Sequence, residues 1–259
     1  MLLTSVILVL REVLEAAMLV SVLLALSRHW QQSINWLWWS LPVGLVGAIV
    51  FASLLDVVTD AFDGAGQELA NALLQGLLYC LILTIVVLSP SNASHKRLMS
   101  FLMAAVLSCA MIREGSEILI YVVGFASAGE HAAAVYAGSV IGAGIGVSLG
   151  VLLYSALRAL SDDRIQATSM VLISLMGVGT IMQATLLLEQ VDWLPAGRAL
   201  WDSSWIVSEQ SIAGQLLYAV FGYEATPSVL QIVLYTVCLS VMFGAHYFSV
   251  MRWGNLNEA

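Results

Sequence analysis

The chain has 259 residues, 60% of them hydrophobic and 10% charged, with a net charge of −8 at pH 7 and a mean hydropathy of +0.93. That is far more apolar than ordinary soluble domains, and the acidic balance offers no basic face to nucleic acid. The reading is an all-α, polytopic membrane protein, with residues 1–259 forming one integral domain because no segment outside the apolar runs is long enough for a second one.

Apolar runs of membrane length recur seven times, at about 2–26, 36–55, 69–88, 98–124, 132–157, 165–188 and 229–250. The first run lacks a basic leader region and a clear small-residue cleavage site, and it contains Arg11, Glu12 and Glu15, so it reads as a retained membrane helix rather than a signal peptide. Three charges near a bilayer centre cost about 7–10 kcal/mol on insertion scales. Its fifteen Leu, Ile and Val residues return about 0.3–0.6 kcal/mol each, which only roughly cancels that cost. Such a helix needs a polar partner.

The fourth run supplies one. Arg113-Glu114-Gly115-Ser116-Glu117 repeats the Arg-Glu-x-x-Glu pattern of Arg11-Glu12-Val13-Leu14-Glu15. Residues three or four apart share a helix face, so each copy projects one arginine and two glutamates from one side. The copies begin 102 residues apart and each opens a set of three runs. Three is odd, so the second set crosses in the opposite sense, which predicts two inverted three-helix repeats, about 1–90 and 98–189, followed by a seventh helix at 229–250. The pseudo-two-fold axis would bring both motifs together at the midplane. Gly44, Gly47, Ala48 and Ala52 in the second run, and Gly138, Gly142, Gly146 and Gly150 in the fifth, predict close packing beside the motif helices.

Alternate loops divide the basic residues unequally. Arg28, Lys96, Arg97, Arg158, Arg164 and Arg252 fall on one side and Arg198 alone on the other, which places the N-terminus outside and the C-terminus in the cytoplasm. Most loop acids, among them Asp56, Asp60, Glu68, Glu130, Glu209 and Glu224, fall outside, where they would concentrate cations at an entrance. Asn92-Ala93-Ser94 matches a glycosylation acceptor on the wrong side of the membrane for that use. In the external segment 190–228, Ser208 is expected to cap a short amphipathic helix that Gly222 ends, lying on the outer surface or plugging the mouth. The cysteines, Cys80, Cys109 and Cys238, read as small buried apolar residues, and the four histidines as loop or helix-end residues.

Glu12, Glu15, Glu114 and Glu117 converging across such an axis would offer up to eight oxygens and no sulfur or imidazole, a donor set for a hard, highly charged cation. Arg11 and Arg113 would hold the carboxylates ionised and offset their charge when the metal leaves. The plain alternative is a buried network that fixes helix register. Glu189, at the outer end of the sixth run, adds an acid near the entrance.

At these residues the sequence resembles the oxidase-dependent iron transporter family, the high-affinity iron permeases. The resemblance rests on Arg11-Glu12-x-x-Glu15-Ala16-Ala17, Arg113-Glu114-Gly115-x-Glu117, Trp201-Asp202-x-Ser204, Phe221-Gly222-Tyr223 and Ala225-x-Pro227-Ser228. It implies seven helices and import of iron as ferric ion across the cytoplasmic membrane, with an extracytoplasmic iron-oxidising or iron-delivering partner, no prosthetic group and no enzymatic activity. It also implies Glu12, Glu15, Glu114, Glu117 and Glu189 as metal ligands. Val13 stands where the family commonly has glycine. Other readings are a permease for manganese or lead, an intramembrane di-iron enzyme, for which neither motif supplies a histidine, and a scaffold that transports nothing.

Overall fold

The structure, a computed structural model, describes residues 1–91, 94–126 and 132–257, so Asn92, Ala93, Glu130 and His131 lie outside the described residues. Among the described residues there are seven long helices: α1 (Leu2–His29), α2 (Asn35–Ala61), α3 (Gly66–Leu88), α4 (Lys96–Ala126), α5 (Ala132–Arg158), α6 (Asp162–Gln190) and, after the short α7 (Ile212–Phe221), α8 (Val229–Asn257). Six of them, α2 to α6 and α8, are long and apolar enough to cross a membrane. The remaining long one, α1, has 28 residues and the length for a crossing, about 42 Å, but three charges sit in its middle. Helices satisfy their own backbone hydrogen bonds, which is the condition for burying a chain in hydrocarbon.

Packing follows the small residues. The most extensive helix pairs are α1 with α5, α2 with α4 and α3 with α6, and α1 also meets α4. Along α5 the glycine stripe lies directly on the α1 backbone: a Cβ at Gly142 would stand 2.4 Å from the Val6 carbonyl oxygen, and one at Gly150 2.7 Å from the Ala17 Cβ. On the other pair, Gly44 and Gly47 of α2 receive Met111 and Ile112 of α4. The bulk of Val13 is accommodated at this seam too, because it faces Gly146, where a Cβ would lie 2.9 Å from its Cγ1. Without a strong hydrophobic drive between helices in lipid, such close contact is the main cohesive term.

The buried apolar core gathers at one end of the bundle, where Leu23 and Leu26 of α1 meet Ile82 and Ile85 of α3, Met103 and Leu107 of α4 and Ile173 of α6. Val140, Val151 and Leu152 of α5 and Val43, Leu45 and Val46 of α2 point outward, as lipid-facing side chains do. Two readings change in detail. Of the three cysteines Cys109 is buried as expected, whereas Cys238 is half-buried and Cys80, on the outward face of α3, is exposed. Ser211, not Ser208, caps α7 by accepting a hydrogen bond from the Gly214 N–H at 3.0 Å, and Gly222 closes the helix in the left-handed region, φ 65°.

The glycine seam gives a direct test. Gly142→Ala should lower the thermal midpoint of the detergent-solubilised protein by an amount equivalent to about 1–3 kcal/mol of overpacking. By contrast Gly144→Ala, two residues along with nothing within 4 Å of its Cβ, should leave the midpoint unchanged or raise it.

Candidate metal centre

Both Arg-Glu-x-x-Glu copies lie mid-helix, on α1 and α4, and the contact between these helices places them face to face. One arginine organises the arrangement. Arg113, almost wholly buried, donates from Nη1 to Glu114 Oε1 at 2.6 Å and to Glu15 Oε2 at 3.0 Å, while its Nε stands 3.6 Å from Glu117 Oε1. Arg11 is held more loosely: its Nε is 3.6 Å from Glu15 and 3.7 Å from Glu12, and its side chain is 32% exposed against 4% for Arg113. The i,i+4 pairs expected from spacing are therefore present in both copies. The strongest contact across the motifs is Arg113 to Glu15.

This asymmetry divides the four glutamates. Glu12, Glu114 and Glu117 each present an oxygen within 4.8 Å of the others, a spacing that suits one metal ion. Glu15 stands apart from that trio because both arginines and the Gln183 amide, donating to Oε2 at 3.2 Å, hold it. Glu12 Oε2, Glu114 Oε2 and Glu15 Oε1 are buried with no hydrogen-bond donor, so lone pairs are free for a cation on two of the trio and on Glu15 beside it. With all six groups ionised the site carries four negative and two positive charges, a net −2 that attracts a cation yet stays partly neutralised without one.

Glu189 is not brought into this cluster. Its Oε2 accepts from Gln231 Nε2 at 3.3 Å, near the start of α8. Sequence reasoning missed the amides that surround the carboxylates. Asn71 of α3 donates to Glu117 at 3.5 Å, and Gln75 of α3 donates at 3.1 Å to Gln183 of α6, which passes the contact on to Glu15. The available signal was the appearance of Asn71, Gln75 and Gln183 inside otherwise apolar runs.

The two sides of the cluster differ. Toward α7 lies a cavity of about 510 Å³ whose walls include Arg11, Tyr218, Glu209 and Glu224, with the Tyr218 ring 5.1 Å from the Arg11 guanidinium carbon. Next to Glu15 and Glu114, Leu19, Leu78, Ile82, Ala110 and Met176, together with Thr180 and Val220 of α7, leave only about 20 Å³. The space on the α7 side is therefore roomy and lined partly by charged and hydroxyl groups, whereas that against Glu15 and Glu114 is close-packed and mainly apolar.

The segment after α6 is stitched to itself. The Leu200 N–H donates to the Pro227 carbonyl and the Ser203 N–H to Ala225, each at 2.9 Å, while Glu209 accepts from the Ala225 and Thr226 N–H groups at 2.7 and 3.2 Å. The Ser204 N–H donates to Asp202 and holds its carboxyl below the ordinary range. Glu224 behaves oppositely: burial, reinforced by the nearby Glu209 and Glu189 carboxylates, pushes it up to about 7.

Removing Arg113 should leave buried carboxylates without a counter-ion, so Arg113→Leu should cost about 3–5 kcal/mol in thermal unfolding, and adding Glu114→Gln should restore part of that loss. For Glu224 the folded state binds its proton more tightly than the unfolded state, whose carboxyl titrates near 4.5, so the stability it contributes falls as pH rises from about 4.5 to 7. Glu224→Gln should accordingly raise the thermal midpoint at pH 8 and leave it unchanged at pH 4.

Residues 2–253 match the model of the iron permease FTR1 family. No curated protein and no solved structure matches the chain. With nearly the whole length covered and two Arg-Glu-x-x-Glu copies facing each other across α1 and α4, the chain belongs to the iron permease FTR1 family, a family of membrane transporters.

Proposed function

We propose that this multi-pass membrane protein imports iron across the cytoplasmic membrane by passing the ion between its two motif helices, with Glu12, Glu114 and Glu117 as ligands. The observation that carries the reading is the convergence of these three carboxylates from two helices, with donor-free buried oxygens on Glu12 and Glu114. Oxygen-only donors of high charge favour a hard ion, which fits ferric iron supplied by an extracytoplasmic oxidising or delivering protein.

In this reading α1 is the seventh crossing, its charges matched by those of α4 rather than exposed to lipid. The N-terminus lies outside and the cavity under α7 is the entrance. The helix pairing supports an inverted repeat: exchanging α1, α2 and α3 for α4, α5 and α6 turns the α1–α5 pair into α4–α2 and leaves α1–α4 and α3–α6 as they are. Glu15 serves as the resting partner of both arginines. When an ion takes Glu12 and Glu114, Arg113 retains Glu15 and is not left as a buried unpaired charge. Glu189 acts at the mouth, outside the ligand trio.

Radioactive iron uptake by cells expressing Glu12→Ala or Glu114→Ala at parental levels should fall to background. Parental uptake by both variants would contradict the mechanism.

A further inference from the structure

On α3, Glu68, Asn71 and Gln75 occupy positions i, i+3 and i+7, which keeps them within about 60° of one helix face. Asn71 is 4% exposed and Gln75 is fully buried. Both amides turn their NH₂ groups toward the carboxylate cluster, Asn71 directly to Glu117 and Gln75 through Gln183 to Glu15. Each then has a carbonyl oxygen to satisfy, and Asn71 Oδ1, Gln75 Oε1 and Glu68 Oε2 are all buried acceptors with no donor. Thr180 does not fill the role, because its hydroxyl donates to the Gln75 and Gly177 backbone carbonyls. A file of three donor-free oxygens on one face, beside a carboxylate cluster, is an expensive arrangement for a helix that only packs. Hard cations, in contrast, take amide carbonyl and carboxylate oxygens together.

We infer that α3 forms a third wall of the cation path, on which Asn71 Oδ1 and Gln75 Oε1 are neutral-oxygen ligands and Glu68 is the acid above them. This deepens the permease reading and rests on it. The carboxylates supply charge, and an ion held by them alone would leave slowly. Amide oxygens one helical turn apart solvate the ion without adding charge, so they ease its transfer off the glutamates. Because the Asn71 NH₂ holds Glu117 and the Gln75 NH₂ holds Gln183, which in turn holds Glu15, rotating Asn71 exchanges a carboxylate contact for an ion contact and rotating Gln75 releases the amide that steadies Glu15, which couples ligand exchange to the cluster.

The test uses the full chain in proteoliposomes, with Cys80, Cys109 and Cys238 replaced by serine, radioactive iron as the transported ion and cadmium as a soft blocking ion. Asn71→Asp, which keeps an oxygen, should transport at no less than half the parental rate, and Asn71→Leu at under a tenth, with equal thermal midpoints. Asn71→Cys should make uptake sensitive to cadmium at a concentration at least tenfold lower than the parent requires, since a thiolate beside carboxylates is a soft site. Should Asn71→Leu not fold, Gln75→Leu against Gln75→Glu gives the same comparison. Parental uptake by the leucine variants, or unchanged cadmium sensitivity of Asn71→Cys, overturns the proposal. Glu114→Gln run in parallel separates the two claims: if it loses uptake while Asn71→Leu keeps it, the α3 wall fails and the glutamate path stands, and if it keeps uptake, the glutamate path fails.

Discussion

Everything in this fold is arranged around the cost of holding Arg113 and three carboxylates out of water. An isolated charge in a dry interior is prohibitive, and a pair repays its desolvation only with good geometry and further hydrogen bonds. Arg113 meets that condition with close contacts to Glu114 and Glu15 and a longer one to Glu117. Since those acids come from both motifs, neither α1 nor α4 can be placed without the other. The charge network thereby sets the register of the bundle while leaving one oxygen each of Glu12, Glu15 and Glu114 without a donor.

The glycine seams follow from the same constraint. For the two charged faces to meet, α1 and α4 must each be held firmly from behind, and α5 and α2 do this through small residues that let backbones touch. Beyond them, α3 and α6 close the remaining sides with amides near the carboxylates and with apolar side chains further along. One family of contacts thus yields an open cavity beside α7, a charged middle and close-packed, mainly apolar side chains against Glu15 and Glu114.

Much of this was legible in the sequence. Run lengths located the long helices to within a few residues, since hydrocarbon thickness sets them, except that α2 and α8 continue six and seven residues past their apolar runs, and the repeated motif identified the partners. Gly222 was readable as a helix end because a left-handed C-cap favours glycine. What spacing does not encode is which carboxylate an arginine prefers. Glu15 and Glu12 look equivalent in the motif, yet Arg113 reaches across the helix interface to Glu15 and leaves Glu12 with Arg11 alone. Asn71, Gln75 and Gln183 were passed over for a related reason: single amides in apolar runs acquire meaning only when folding stacks them against charges 46 to 168 residues away. The choice of Ser211 over Ser208 as the α7 cap was likewise decided by a turn that periodicity does not report.

The central claim is that one metal ion sits between α1 and α4 on carboxylates from both motifs. Anomalous diffraction from the iron-loaded protein at the iron absorption edge addresses it most directly. The account predicts a single strong peak within coordinating distance of Glu12, Glu114 and Glu117, with Glu15 still on Arg113. A peak confined to Glu189 and the outer segment, with the motif glutamates bound only to their arginines, would contradict it.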